Sequence, residues 1–237
     1  MKLIMNADDL GYTPGNTYGI IEAYKKGIVR STTAMCNEPF IEKAAELVKD
    51  CPDLGVGVHL NLTSGRPLTK NRTLQNENGC FFRNGEIKAR VFDSGEIYTE
   101  WKAQIERFIE VFGCLPTHID SHHHVHTFTE QLTGIAKQLG REYGLELRNY
   151  GQYRFVSSFY QETVSEENLF AILEQYKDED IEIMCHPGYC DLELYRRSSY
   201  SLNRVRELDI LTRDSVKQYL KDHGIVSGHY ERPEKQK

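Results

Sequence analysis

Short apolar runs alternate with stretches of helical periodicity along almost the whole chain, and that alternation leaves few folds open. Strand-like runs fall at residues 3–5, 29–36, 54–60, 117–120, 145–148, 181–186 and 224–227. Between them, apolar residues recur at helical spacing over 17–26, 40–49, 100–112, 128–143, 166–176 and 215–222. Strand followed by helix, repeated about seven times, predicts a parallel sheet rather than separate domains. Asp8 and Asp9, His59, His122, Arg148 and His186 all stand at C-terminal ends of the expected strands. In a barrel those ends converge on one face. An open doubly wound sheet would spread them over a wider crevice, and the glycine-rich phosphate turn expected after its first strand is missing. The expectation is therefore a barrel-like α/β fold.

The length of 237 residues suits one large domain, taken here as residues 1–237. Residues 64–95 show no sustained periodicity and are rich in Asn, Gly, Lys and Arg, which predicts a long inserted loop, a lid or a surface insertion. A formal charge of −6 with no basic stripe argues against a nucleic-acid partner. The apolar run at the N-terminus is interrupted early by two carboxylates, so neither a secretory signal nor a membrane span is expected, and the location predicted is cytoplasmic. Cys36, Cys51, Cys80, Cys114, Cys185 and Cys190 form no C-x-x-C pair and are read as free thiols.

Five of the nine histidines lie between Thr117 and His126. Neutral imidazole is a common metal ligand, and gathering several has a solvation cost unless something binds them. A catalytic divalent site needs about three protein ligands and an open position. One of the paired aspartates, His59 and one histidine of the cluster supply that set. Adjacent strand-end residues point in different directions, so Asp8 and Asp9 are not expected to bind a metal in the same manner. On extended backbone His122 and His124 would share a face, whereas on a helix His122 would pair with His126. Spacing alone leaves that choice open. His186 is a candidate general acid. Arg148 is either an orienting or substrate-binding cation or a surface charge. His223 and His229 are read as structural.

Four stretches carry a resemblance: Asn6-Ala7-Asp8-Asp9-Leu10-Gly11, Gly57-Val58-His59-Leu60-Asn61-Leu62-Thr63, the histidine run from Thr117 to His126, and Cys185-His186-Pro187-Gly188-Tyr189. Together they resemble the YdjC-like family of carbohydrate deacetylases, which includes chitooligosaccharide deacetylases. The resemblance implies a distorted (β/α) barrel of about seven parallel strands, similar to polysaccharide deacetylases, and a divalent cation held by Asp9, His59 and His122. By looser analogy with polysaccharide deacetylases it makes Asp8 the base. It implies removal of acetyl groups from N-acetylated sugars, a small acetylated oligosaccharide as partner, and a homodimer. It allows Mg2+, while two imidazoles and a carboxylate equally suit Zn2+. Two rivals remain at this stage. A metal-dependent phosphoesterase or other amidohydrolase would often need ligands for two ions and an H-x-H pair after the first strand, where this chain has Asp8-Asp9. A non-catalytic sugar-binding protein would need neither base nor proton donor.

Overall fold

The computed structural model describes residues 1–87 and 90–233, so that residues 234–237 of the polar tail, expected to fray, lie outside the described residues. Its strands are β1 (Lys2–Leu10), β2 (Ser31–Ala34), β3 (Gly55–Leu60), β4 (His118–Ser121), β5 (Glu146–Leu147), β6 (Arg154–Val156), β7 (Ile181–Cys185) and β8 (Val226–Ser227). Their order across the sheet is β5-β4-β3-β2-β1-β7-β6, with β8 against the start of β1, and every pairing is parallel. The seven-strand path curls into a half-barrel, as the strand-end argument requires.

Alternation along the strands sorts residues between two faces. Leu3, Met5 and Ala7 of β1, Val56, Val58 and Leu60 of β3, and Ile181, Ile183 and Cys185 of β7 join one apolar cluster with the surrounding helices. The intervening residues face the barrel interior and are largely polar: Asn6 and Asp8, Ser31 and Thr33, His59, His118 and Asp120, and Glu182 are all buried. The glycines of β3, whose place in a strand suggests close approach of neighbouring backbone, are instead met most closely by side chains. A Cβ at Gly57 would come 2.5 Å from Nδ1 of His118, and one at Gly55 2.5 Å from Cβ of His229. Histidine rings fill the barrel where β3 carries no side chain.

Residues 64–95 prove more structured than expected. Gln75 and Phe81 form an antiparallel bridge, a short helix spans Asn84–Ile87, and the next helix already begins within the stretch, at Ser94–Phe112. Two carboxylates on that helix hold the segment. Buried Glu100 accepts from the amides of Leu68 (3.0 Å) and Thr69 (2.9 Å), and Glu96 from those of Arg72 and Thr73 (2.8 Å each). Phe81 and Phe82 are buried in the main core. Among the described residues, β6, only three residues long, and the helices Leu192–Arg197 and Leu202–Thr212 also escaped the periodicity reading. In the last of these Arg204 and Glu207 are buried together with Leu208, Ile210 and Leu211, so its hidden side mixes charged and apolar residues. All six cysteines are free. Among the described residues no helix is long and apolar enough to cross a membrane.

Candidate active site and metal centre

Asp8 and Asp9, expected just past the strand-like run at 3–5 and pointing apart, both lie within β1. Between Ala7 and Leu10 the register against β2 shifts, because three steps along β1 match two along β2, from Thr32 to Ala34. Asp9 takes up the bulge with φ of 75°, a left-handed conformation that is uncommon for a residue with a Cβ. The bulge breaks the strict alternation, so neighbouring carboxylates both reach the interior. Asp9 Oδ1 lies 3.1 Å from Nε2 of His59 and 2.8 Å from Nδ1 of His122. Asp9, His59 and His122 thus offer donor atoms within 4.8 Å of one another, and all three are buried.

His59 is oriented from behind. Its Nδ1 stands 2.6 Å from Oδ1 of Asp120, and Thr33 Oγ1 donates to the other Asp120 oxygen at 2.9 Å. That contact directs Nε2 toward Asp9, an arrangement usual for metal-binding imidazoles, whose second nitrogen is held by a carboxylate. Burial alone would lower the His59 pKa, but Asp120, Asp9 and Asp8 raise it to about 10. Such a concentration of carboxylate around one imidazole is a demand for positive charge, and the donor set fits a divalent cation.

Asp8 is held differently. Arg148 donates to both its oxygens, Nη1 to Oδ2 at 2.7 Å and Nη2 to Oδ1 at 2.8 Å, and Asn6 Nδ2 adds a bond at 2.8 Å. Burial pushes the Asp8 carboxyl up, yet the guanidinium brings it below the ordinary range. Of the roles weighed for Arg148, orienting cation, substrate contact or surface charge, its burial and contacts match the first. It has no exposed surface, and its remaining donors meet Glu182 (Nε to Oε1, 2.8 Å) and Asp120 (2.9 Å). Asp8, His59 and Asp120 also approach one another as ligands would. A guanidinium already bonded to both carboxylates makes that grouping a poor second cation site.

The histidine run resolves into distinct environments. His122 opens a 3-10 segment, and His123 and His124 adopt left-handed conformations (φ 54° and 56°), so neither simple strand nor helix spacing applies. His126 is buried beneath the site, 2.5 Å from Ser121 Oγ and 3.3 Å from the Arg148 carbonyl. His118 stacks on Tyr230 with ring centroids 4.0 Å apart. His186 follows β7, its ring 5.5 Å from those of Tyr160 and Tyr200. Its pKa, expected near neutrality, falls to about 3, chiefly through burial and then through Arg204.

Several residues of the site had no assigned role in the sequence reading. Arg204 Nη2 donates to Asp9 Oδ2 at 2.7 Å. Glu207, one turn on, accepts the amide of His186 and the hydroxyl of Tyr200, and its Oε1 is 3.9 Å from His186 Nδ1. Asp120 and Thr33 complete the list; only Asp120 carried a signal, as the carboxylate inside the histidine motif.

Residues 2–222 match the family model for YdjC-like proteins. The chain belongs to the YdjC-like family. A carbohydrate deacetylase from Geobacillus stearothermophilus is 42% identical over 234 residues, 94% of either protein. A chitooligosaccharide deacetylase from Proteus mirabilis is 38% identical over 97% of both. The chain also superposes on a crystal structure from Enterococcus faecalis V583, whose description proposes cellobiose-phosphate cleavage, with a TM-score of 0.91, 37% identity and 97% of each chain covered. A family 4 carbohydrate esterase from Streptomyces lividans, in complex with acetate, shares the fold alone (TM-score 0.57, 14% identity, 96% of this chain and 91% of that one).

Proposed function

We propose that this chain is a metal-dependent hydrolase that removes N-acetyl groups from acetylated amino sugars such as chitooligosaccharides, free or phosphorylated, and releases acetate. The observation that carries the reading is the convergence of Asp9, His59 and His122 beside Asp8, in a chain whose relatives are named carbohydrate deacetylases. We assign the whole chain, 1–237, to one catalytic domain with an insertion at 64–95. We take it to work in the cytoplasm as a homodimer.

Asp9, His59 and His122 would hold one divalent cation, Mg2+ or Zn2+, which when bound supplies Lewis acidity to an acetamide carbonyl and to water. Asp8 stays ionised at neutral pH because Arg148 stabilises its carboxylate against burial. It therefore takes a proton from water as that water attacks the carbonyl carbon. Arg204, bonded to the Asp9 oxygen that does not face the imidazoles, keeps Asp9 turned toward them. His186 gives a proton to the departing amine. Burial keeps this imidazole neutral in the free protein, so the proton it passes on is the one that Asp8 takes from the attacking water, and Glu207, 3.9 Å from His186 Nδ1, is the carboxyl group placed beside it. The products are acetate and a free amino sugar. A two-ion phosphoesterase is disfavoured by the guanidinium between Asp8 and Asp120.

Two substitutions separate the roles. Asp8→Asn should keep one equivalent of bound metal and lose acetate release by roughly 100- to 10,000-fold, the range typical for a general base. Asp9→Asn should lose metal and activity together. An Asp8→Asn protein with normal turnover would exclude this base.

A further inference from the structure

Glu182 and Tyr230 are buried ionisable residues that the proposed chemistry does not use. Glu182 lies on β7, in register with Ile4 of β1, and therefore deeper in the barrel than Asp8. Its Oε1 accepts from Arg148 Nε at 2.8 Å, and its Oε2 from the Tyr230 hydroxyl at 2.5 Å. Tyr230 enters from the opposite end of the barrel to the candidate site. The segment carrying it follows β8, is tied to β1 by the Gly228 amide bonding the Leu3 carbonyl at 2.9 Å, and passes His229 over Gly55. The Tyr230 ring is clamped, face to face with His118 and edge-on to Tyr153 with centroids 5.0 Å apart.

The arrangement matters because Arg148 faces more carboxylate than it can chelate. Asp8, Asp120 and Glu182 all lie within 2.9 Å of its nitrogens. Glu182 Oε1 accepts from Nε and also lies 2.8 Å from Nη2, so it grips one edge of the guanidinium and aims Nη1 and Nη2 at the fork on Asp8. Glu182 can hold that place only if its second oxygen, also buried, has a donor of its own. We infer that Tyr230, from the C-terminal segment, is a positioning residue for Asp8, acting through Glu182 and Arg148. The inference rests on the reading of Asp8 as the base. It makes the end of the chain part of the catalytic apparatus, although it lies on the far side of the barrel.

Tyr230→Phe keeps the ring and its stacking and deletes only the donor. Removing such an outer partner typically costs 10- to 100-fold, so kcat should fall by roughly tenfold or more. KM and bound metal should stay unchanged, because no group that would touch substrate or ion is altered. Glu182→Gln should give a loss of similar size, and the double variant should be no slower than the slower single, since both act along one path. Normal kcat in Tyr230→Phe, losses that multiply in the double variant, or loss of metal alongside kcat would each overturn the inference. Side-chain NMR of Arg148 gives a readout that needs no turnover. Its Nε–H should exchange slowly in the unsubstituted protein and faster in Tyr230→Phe, and equal exchange in the two would overturn the link. If the unsubstituted protein releases no acetate, the functional reading fails, and the exchange measurement still decides whether Tyr230 holds Arg148.

Discussion

On β3, Val56, Val58 and Leu60 turn outward into an apolar layer under helices, while Gly55, Gly57 and His59 turn inward among charges. One strand therefore serves two kinds of chemistry. Outward burial is non-directional, since it rewards area removed from water and tolerates exchange of similar shapes. The inward face depends on direction, because each buried charge there needs a partner at hydrogen-bond distance. The outer face should thus govern whether the chain folds, and the inner face what the folded chain does.

The sharpest way to break that division is Arg148→Met. Removing the guanidinium leaves Asp8, Glu182 and Asp120 facing one another in the interior, and losing one partner of a buried pair costs about 3–5 kcal/mol. We expect a lowered denaturant midpoint together with loss of acetate release; retention of either would show that the interior tolerates unpaired charge. On the outer face, Ile105→Ala, under β3 in the helix Ser94–Phe112, should cost about 2–5 kcal/mol. Turnover by the folded fraction should not change, and a fall in kcat at constant folded fraction would show that the two faces are coupled.

The smallest effect is a pH dependence that belongs to the inner face. Burial, the main cause in both cases, lowers His118 to about 3 and His126 to about 4. In the unfolded chain these residues take up protons near pH 6.5, so below that pH the unfolded state binds more protons. Their contribution is complete above pH 6.5 and declines as pH falls toward 4 and then 3, with a limiting slope of about 1.4 kcal/mol per pH unit for each histidine. Asp8 and Asp9, held below the ordinary carboxylate range, contribute above about pH 4, with a loss that lies at more acid pH. Urea midpoints between pH 7.5 and 5.5 should fall, and His118→Gln should flatten the trend. An unchanged slope in that variant would assign the titration to other groups.

The outer face was legible in the sequence because period-2 and helical patterns of apolar residues report it directly. The curl of the sheet was legible from the chemistry of strand ends, and Asp9, His59 and His122 do meet there. The inner network was less so, for identifiable reasons. The bulge at Asp9 and the left-handed pair His123 and His124 are backbone departures that spacing rules cannot carry. Arg204 and Glu207 interrupt the apolar residues on the hidden side of their helix, where Leu208, Ile210 and Leu211 are also buried, so apolar periodicity passed over it. Arg148 was visible at its strand end, but sequence could not show that the carboxylates of three other strands surround it.

The most direct measurement is acetate release from short N-acetylglucosamine oligomers by protein stripped with chelator and reloaded with Zn2+ or Mg2+. The account predicts loss of release on stripping, recovery with one equivalent of cation, and no recovery in Asp9→Asn. Release that survives stripping, or none from folded and reloaded protein, would contradict it.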